Sequence, residues 1–181
     1  MTYFDAPGLE NTEKTLQLAA ERAKILGIAE MVVATTSAAF KALEICKALK
    51  MTAVTYHCGF DEAFKPVMPE DVRKDLESRG VRVVSATHAL SGVERSVFNK
   101  YSGSCPVLLI ADTLRLFGQG TKVAVEISIM AADAGTLSGK DIVSVGGSAH
   151  GADTALVIKP AHQSGLFDLR IREIICKPRS F

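Results

Sequence analysis

Two hydrophobic patterns alternate along the first half of the chain. Short apolar runs at 31–35, 52–56 and 81–84 are typical of strands that are covered on both faces. Between the first two runs, apolar residues recur at helical spacing over 38–49, with Lys and Glu on the opposite side. Strands that alternate with helices of this length predict a parallel sheet with helices on both faces.

The same pattern predicts three further elements in this half. Residues 3–4 form a short edge strand. A helix follows, which Asn11 caps and Gly27 ends. A second, strongly charged helix begins at Pro69 and stops at Gly80.

The second half has a different order, in which helices come first and strands follow. Helices are predicted over Gly92–Tyr101, 106–117 and 122–134, and strands over 141–146, 154–158 and 170–176. The β-branched residues of 122–134 also permit a strand there. The glycine-rich link at 146–151 suits a hairpin, which makes this end of the sheet antiparallel. The prediction is a single α/β domain over 1–181, a three-layer α/β/α sandwich with a mixed, mostly parallel sheet and an antiparallel edge.

Composition narrows the classes of partner. The chain has 181 residues, of which 48% are hydrophobic and 23% charged, as in a globular domain. Lys and Arg number 21 against 20 Asp and Glu, so no basic surface for nucleic acid or an anionic membrane is expected. No apolar run approaches the ~18 residues of a membrane-spanning helix.

The cysteines predict neither a metal site nor a disulfide framework. Cys46, Cys58, Cys105 and Cys176 are scattered, with no Cys-x-x-Cys pair and no Cys/His spacing suited to zinc. Free thiols fit a reducing compartment. The N-terminal segment has no apolar signal core, so a cytoplasmic location is expected.

Three consecutive hydroxyl residues, Thr35, Thr36 and Ser37, stand where the strand at 31–35 gives way to the helix at 38–49. A helix N-terminus presents free backbone N–H groups and the positive end of the dipole, which suits a phosphate or carboxylate. The alternative is an ordinary N-cap, in which a hydroxyl only satisfies the first amides of the helix.

Three other loops with unusual side chains are predicted at the same edge, at 5–12, 57–60 and 87–92. In a parallel sheet, the loops after the carboxyl ends of the strands meet at one edge, where ligands bind. The candidate contacts in these loops are Asn11, Thr12, His57, Gly59, His88, Ser91 and Gly92. We expect the first two to assist the hydroxyl turn in holding a phosphate and the other five to line the ring or sugar end of the ligand.

His57 and His88 follow equivalent strands and are expected to face each other across this pocket. Imidazole titrates near physiological pH, so either histidine is a candidate general acid or base. The alternative, which we favour, is a hydrogen bond to loop backbone or ligand without proton transfer.

Two carboxylates on the apolar helix at 122–134 are the best candidates for buried acids. Glu126 and Asp133 need partners there, because an unpaired buried carboxylate is costly. The expected partners are Arg95, Arg115 or helix N-termini, and structural pairing is the favoured role.

The glycines at 146–151 are expected to serve mainly as turn residues, with backbone amides that also suit a ligand contact.

Several segments resemble one known family. They are YFDAPGLENTEKTLQLAAERAKILGI, the strand–TTS–helix unit, HALSGVERS, FGQGTKVAVEISIMAADAG, GADTALVIKPA and EIICKPR. Together they are similar to the stand-alone pyruvate kinase C-terminal-domain-like proteins of prokaryotes, over nearly the whole chain. The resemblance implies a five-stranded sheet with helices on both faces and one antiparallel edge strand.

The resemblance also implies a ligand. In pyruvate kinase this domain carries no catalysis and holds a sugar phosphate in a T-x-S-G-x-S/T turn, and the stand-alone proteins look able to hold flavin mononucleotide (FMN). Thr35, Thr36 and Ser37 occupy the corresponding turn, but Ala38 and Ala39 follow directly and the turn is about two residues shorter. Phosphate binding at this turn is therefore expected to be weaker or altered.

The leading hypothesis is a domain that binds a phosphorylated small molecule, with FMN as first candidate and without pyruvate kinase activity. One alternative is an enzyme that uses His57 or His88, or a bound flavin, in the same pocket. The other is a regulatory module that acts through a homo-oligomer, with the apolar segment 107–110 as its candidate surface, although burial of that segment in its own core is favoured.

Overall fold

The strands and helices follow one another in the order that the hydrophobic pattern predicts. A computed structural model describes residues 1–34, 36–148 and 150–181, and the side chains of Thr36 and Ser37 also lie outside that description. The strands are β1 (Thr2–Phe4), β2 (Glu30–Ala34), β3 (Lys50–Thr55), β4 (Arg82–Ser85), β5 (Ile142–Gly146), β6 (Thr154–Lys159) and β7 (Arg170–Pro178). The helices are α1 (Thr12–Leu26), α2 (Thr36–Ile45), α3 (Glu70–Ser78), α4 (Gly92–Tyr101), α5 (Pro106–Arg115) and α6 (Gln119–Asp133).

The strands of the described chain form one mixed sheet in the order β1-β7-β6-β5-β2-β3-β4. Strand β2 pairs in parallel with β3 and β5, and β3 pairs in parallel with β4. Strand β6 is antiparallel to both β5 and β7, which confirms the hairpin predicted at the glycine-rich link. The three-layer class is confirmed, but the sheet has seven strands rather than the five that the resemblance implies.

One face of the sheet packs against α1, α2 and α3. Met31 and Val33 point to this face and lie in one core cluster with Leu16 of α1 and Ala39 of α2, all fully buried. Side chains alternate across a strand, so the residues between them point to the other layer. This alternation explains why the strand is apolar throughout.

The opposite face packs against α5 and α6. Val32 and Ala34 lie there in a second cluster with Ala111 of α5 and with Val125 and Ile129 of α6. Helix α6 buries most of its surface and lies against β5 and β6. The sequence therefore forms a helix at this position, and the strand alternative is wrong.

Two element boundaries differ from the predictions for a non-local reason. Helix α2 ends at Ile45 rather than at 49, and β3 begins at Lys50 rather than at 52. The Lys50 N–H donates to the carbonyl of Ala29 at 2.9 Å, which fixes the start of β3 beside β2. The chain must reverse before that bond, so the helix cannot continue.

The apolar segment 107–110 is partly buried. Leu108 of α5 is 8% exposed, whereas Leu109 is 56% exposed. Burial of part of this segment in its own core agrees with the favoured expectation. No helix in the described ranges is long and apolar enough to cross a membrane.

Candidate functional site

A cavity of about 420 Å³ lies at the carboxyl edge of the sheet, on the face covered by α6. Ala34, Val54 and Thr55, near the carboxyl ends of β2 and β3, contribute to its floor. Parallel strands leave their following loops at this edge, and a ligand site is expected there. The volume is within the range of about 300–1,000 Å³ that is typical of small-molecule sites.

One wall of the cavity is aromatic. Tyr56 and Phe60 stack with ring centroids 4.2 Å apart, and the His88 ring lies 5.5 Å from Phe60. All three line the cavity, and Tyr56 and Phe60 remain 37% and 47% exposed. Exposed, mutually stacked rings present a flat apolar surface that suits a planar ligand ring.

The facing wall is formed by α4, α5 and α6 and is rich in charge. Arg95, Arg115 and Lys122 line the cavity with one carboxylate, Glu126. Arg115 donates to Gln119 Oε1 at 2.8 Å and also pairs with Asp112. Cations therefore outnumber carboxylates in the lining, whereas the whole chain is nearly neutral, and an anionic group is the complementary ligand.

Lys122 and Glu126 form a buried ion pair one helical turn apart on α6. Lys122 Nζ lies 2.5 Å from Glu126 Oε2, and each side chain is 7% exposed. The second oxygen, Glu126 Oε1, accepts the backbone N–H of Leu90 at 2.9 Å. The carboxylate thereby ties α6 to the loop that carries His88 and Ser91.

His88 lies where the aromatic and charged walls meet. Burial lowers its pKa below the ordinary histidine value, the Glu126 carboxylate acts in the opposite sense, and the charges of Lys122 and His57 lower the pKa further. His88 is therefore neutral at physiological pH and suited to accept as well as donate a hydrogen bond.

The glycine-rich link between β5 and β6 forms another part of the rim, since Gly147, Ser148 and Gly151 line the cavity. The Ala152 N–H donates to Thr12 Oγ1 at 3.0 Å, which fastens this link to the start of α1. A Cβ at Gly151 would lie 2.4 Å from Thr12 Oγ1, so only glycine allows this close approach.

The predicted ligand residues fall into four groups. His88 and Ser91 line the cavity, and Thr35 and the side chains of Thr36 and Ser37 lie outside the described residues. Gly92 lines a neighbouring cavity of about 510 Å³, which shares His88 and Ser91 with the first. The remaining four, Asn11, Thr12, His57 and Gly59, are absent from the lining of both cavities.

Those four residues have other contacts in the structure. Asn11 Nδ2 donates to the carbonyl of Ala6 at 2.9 Å rather than capping α1, and Thr12 holds the β5–β6 link. The Gly59 N–H donates to Lys65 O at 2.9 Å within the loop after β3. The His57 ring lies 5.4 Å from that of His88, but His57 is absent from the cavity lining, so the two rings are neighbours and do not face each other across the cavity.

The buried carboxylates differ from expectation in two respects. Glu126 is paired, but with Lys122 and the Leu90 N–H rather than with Arg95 or Arg115. Asp133 is not a buried acid, because its side chain is 29% exposed and interacts with His162 at the surface. It lies at the last residue of α6, where the helix emerges from the sandwich.

Sequence reasoning did not identify Tyr56, Phe60, Arg95, Arg115, Gln119 and Lys122 as ligand contacts. A signal existed for Lys122, which stands four residues before Glu126 in an otherwise apolar helix, the spacing at which opposite charges meet. For Tyr56 and Phe60 the local sequence gives no comparable signal. A scan of protein-family models gives no match to this sequence.

Proposed function

We propose that this protein binds a phosphorylated small molecule with a planar ring, and FMN is the first candidate. The observation that carries the proposal is the pairing, within one cavity, of the stacked Tyr56 and Phe60 rings with a wall containing three cations. A ring system gains contact area on the aromatic wall, and an anionic group gains charge-assisted hydrogen bonds on the other.

The position of α2 also supports a phosphorylated ligand. Ala34, the last residue of β2, lines the cavity, and α2 begins at Thr36. A phosphate near this helix start would meet the positive end of the helix dipole. We retain Thr35, Thr36 and Ser37 as candidate phosphate contacts on this ground.

The proposal extends to family and location. The similarity to stand-alone pyruvate kinase C-terminal-domain-like proteins agrees with the three-layer sandwich and favours a cytoplasmic ligand-binding domain that forms homo-oligomers. The resemblance covers only the non-catalytic domain of pyruvate kinase, so pyruvate kinase activity is not part of the proposal.

Titration of the purified protein with FMN tests the proposed function. Stacking against Tyr56 and Phe60 should quench flavin fluorescence saturably, with one FMN bound per chain. Tyr56→Ala and Phe60→Ala should weaken binding by about threefold to tenfold, the range expected for loss of an aromatic contact. Phe167→Ala is the matched control, because Phe167 is 83% exposed and absent from the cavity lining. A protein that shows neither saturable quenching nor a thermal shift at millimolar FMN would refute the proposal.

A second candidate function is acid–base or flavin-dependent catalysis in the same cavity. It is favoured by one observation, the adjacency of His57 and His88, of which His88 lines the cavity. Catalysis of this kind predicts that His88→Asn abolishes a turnover detected with the bound flavin while the Kd for FMN stays within about twofold. If the protein only binds its ligand, neither wild type nor His88→Asn shows any turnover.

A further inference from the structure

Lys122 lines the cavity with hydrogen-bond donors that the described residues leave unused. Its side chain is 7% exposed and lines the cavity, and in the described part of the chain its ammonium contacts one acceptor, Glu126 Oε2. A lysine ammonium carries three donors. Because burying a charged group is costly unless its hydrogen bonds are made, an ammonium with spare donors at a cavity wall is suited to an incoming anion.

Glu126 leaves those donors available. Its two carboxylate oxygens already accept from Lys122 and from the Leu90 N–H, so the acid is satisfied by protein groups. The pair thus holds the ammonium in place without using all of its donors. Arg115, whose guanidinium donates to Gln119, lines the same wall and adds a positive charge to it.

The N-terminus of α6 is a poorer anion site than this ammonium. A Cβ at Gly120, in the first turn, would lie 2.8 Å from Asp153 Oδ1, so a carboxylate already lies beside that end of the helix. Asp153 is 1% exposed and accepts hydrogen bonds from Ser148 N–H and Thr154 Oγ1. Its negative charge opposes a second anion at the helix start.

We infer that Lys122 binds the anionic group of the ligand, so that the phosphate lies against α6 and the ring lies against Tyr56 and Phe60. The inference rests on the proposed function, since it assigns the phosphate end of the ligand proposed there. It gives the hydroxyl turn at Thr35, Thr36 and Ser37 a secondary part in phosphate binding.

Comparison of FMN with riboflavin isolates the phosphate contact, because the two differ only in that group. Wild-type protein should bind FMN more tightly, and Lys122→Met should reduce this preference by about tenfold to a hundredfold, as for loss of a hydrogen bond to a charged group. Affinity for riboflavin should stay within about twofold. Lys74→Met is the matched control, since Lys74 is 72% exposed on α3, and it should leave both affinities unchanged.

Lys122→Met alone leaves the Glu126 carboxylate buried without its partner. The double variant Lys122→Met/Glu126→Gln is the control for misfolding, because it removes both buried charges while the amide oxygen can still accept from the Leu90 N–H. It should lose the FMN preference as completely as Lys122→Met. If the folded double variant still prefers FMN to riboflavin, the assignment to Lys122 is overturned. If Thr36→Ala loses this preference instead, the phosphate contact belongs to the hydroxyl turn. Wild-type protein that binds neither flavin would refute the proposed function itself, which is a separate result.

Discussion

The Glu126 carboxylate accepts the backbone N–H of Leu90 at 2.9 Å, across 36 positions of sequence. The same carboxylate pairs with Lys122, so one buried side chain joins α6 to the loop after β4. Glu126→Ala should therefore destabilise the fold by about 3–5 kcal/mol, because it leaves a buried ammonium unpaired. Urea unfolding measures this loss.

Two companion variants separate the charge from the hydrogen bond. Glu126→Gln should cost less than Glu126→Ala, because its amide oxygen can still accept from Leu90. Lys122→Met/Glu126→Leu should recover part of the stability, since no buried charge remains. Equal losses in all three variants would contradict this account of the pair.

Gly120 is required where α6 approaches β6. A Cβ there would lie 2.1 Å from Thr154 Oγ1 and 2.6 Å from Thr154 Cβ, so Gly120→Ala forces the helix away from the strand. Overpacking of this kind costs about 1–3 kcal/mol. Gly27→Ala is the comparison, because nothing lies within 4 Å of a Cβ at Gly27 and only its left-handed backbone is strained. Thermal unfolding that finds Gly120→Ala as stable as wild type would contradict the close approach.

The lowered pKa of His88 makes stability depend on pH. The unfolded chain binds a proton at this residue near pH 6.5, whereas the folded protein binds it only at lower pH, so stability falls as pH drops below about 6.5. The stability of wild type relative to His88→Asn should therefore fall from pH 7.5 to pH 5.5. Urea unfolding at both pH values measures it. A difference that stays constant, or an NMR titration that places His88 at or above pH 6.5, would count against this prediction.

The cysteines should differ sharply in reactivity. Cys58 is exposed, whereas Cys46, Cys105 and Cys176 are buried. Burial also raises the pKa of Cys46 and of Cys176 to about 11, which suppresses their thiolates at neutral pH. A disulfide reagent at pH 8 should modify one thiol rapidly in the native protein and all four after denaturation. Cys58→Ser should abolish the rapid phase, and a rapid phase that persists would show that a buried site opens.

Most of the fold could be predicted because its signals are local. Helix α4 has the predicted bounds, Gly92–Tyr101, and Gly27 ends α1 in a left-handed conformation. Periodicity and glycine positions carry this information within a few residues of each boundary. The end of α2 could not be predicted in this way, because the hydrogen bond that limits it joins Lys50, at the start of β3, to Ala29, the residue before β2.

The candidate site was predicted less completely than the fold. The carboxyl edge and the loop residues His88 and Ser91 followed from the parallel arrangement of the strands. Tyr56 and Phe60 belong to the same edge, but nothing in their local sequence distinguishes a ligand wall from an ordinary loop. The charged wall comes from α4, α5 and α6. Periodicity places α6 in the core without showing which of its ends meets the loops.

The sequence by itself determined the order and type of the elements, the three-layer class and the edge at which the candidate site lies, because these depend on short-range periodicity and on the direction of parallel strands. Only the tertiary structure decided that Glu126 also accepts the Leu90 N–H and that the Lys122–Glu126 pair lies at the cavity. Those contacts depend on how α6 crosses the sheet, and that crossing is set by close packing at Gly120 and Gly146 against residues distant in the chain.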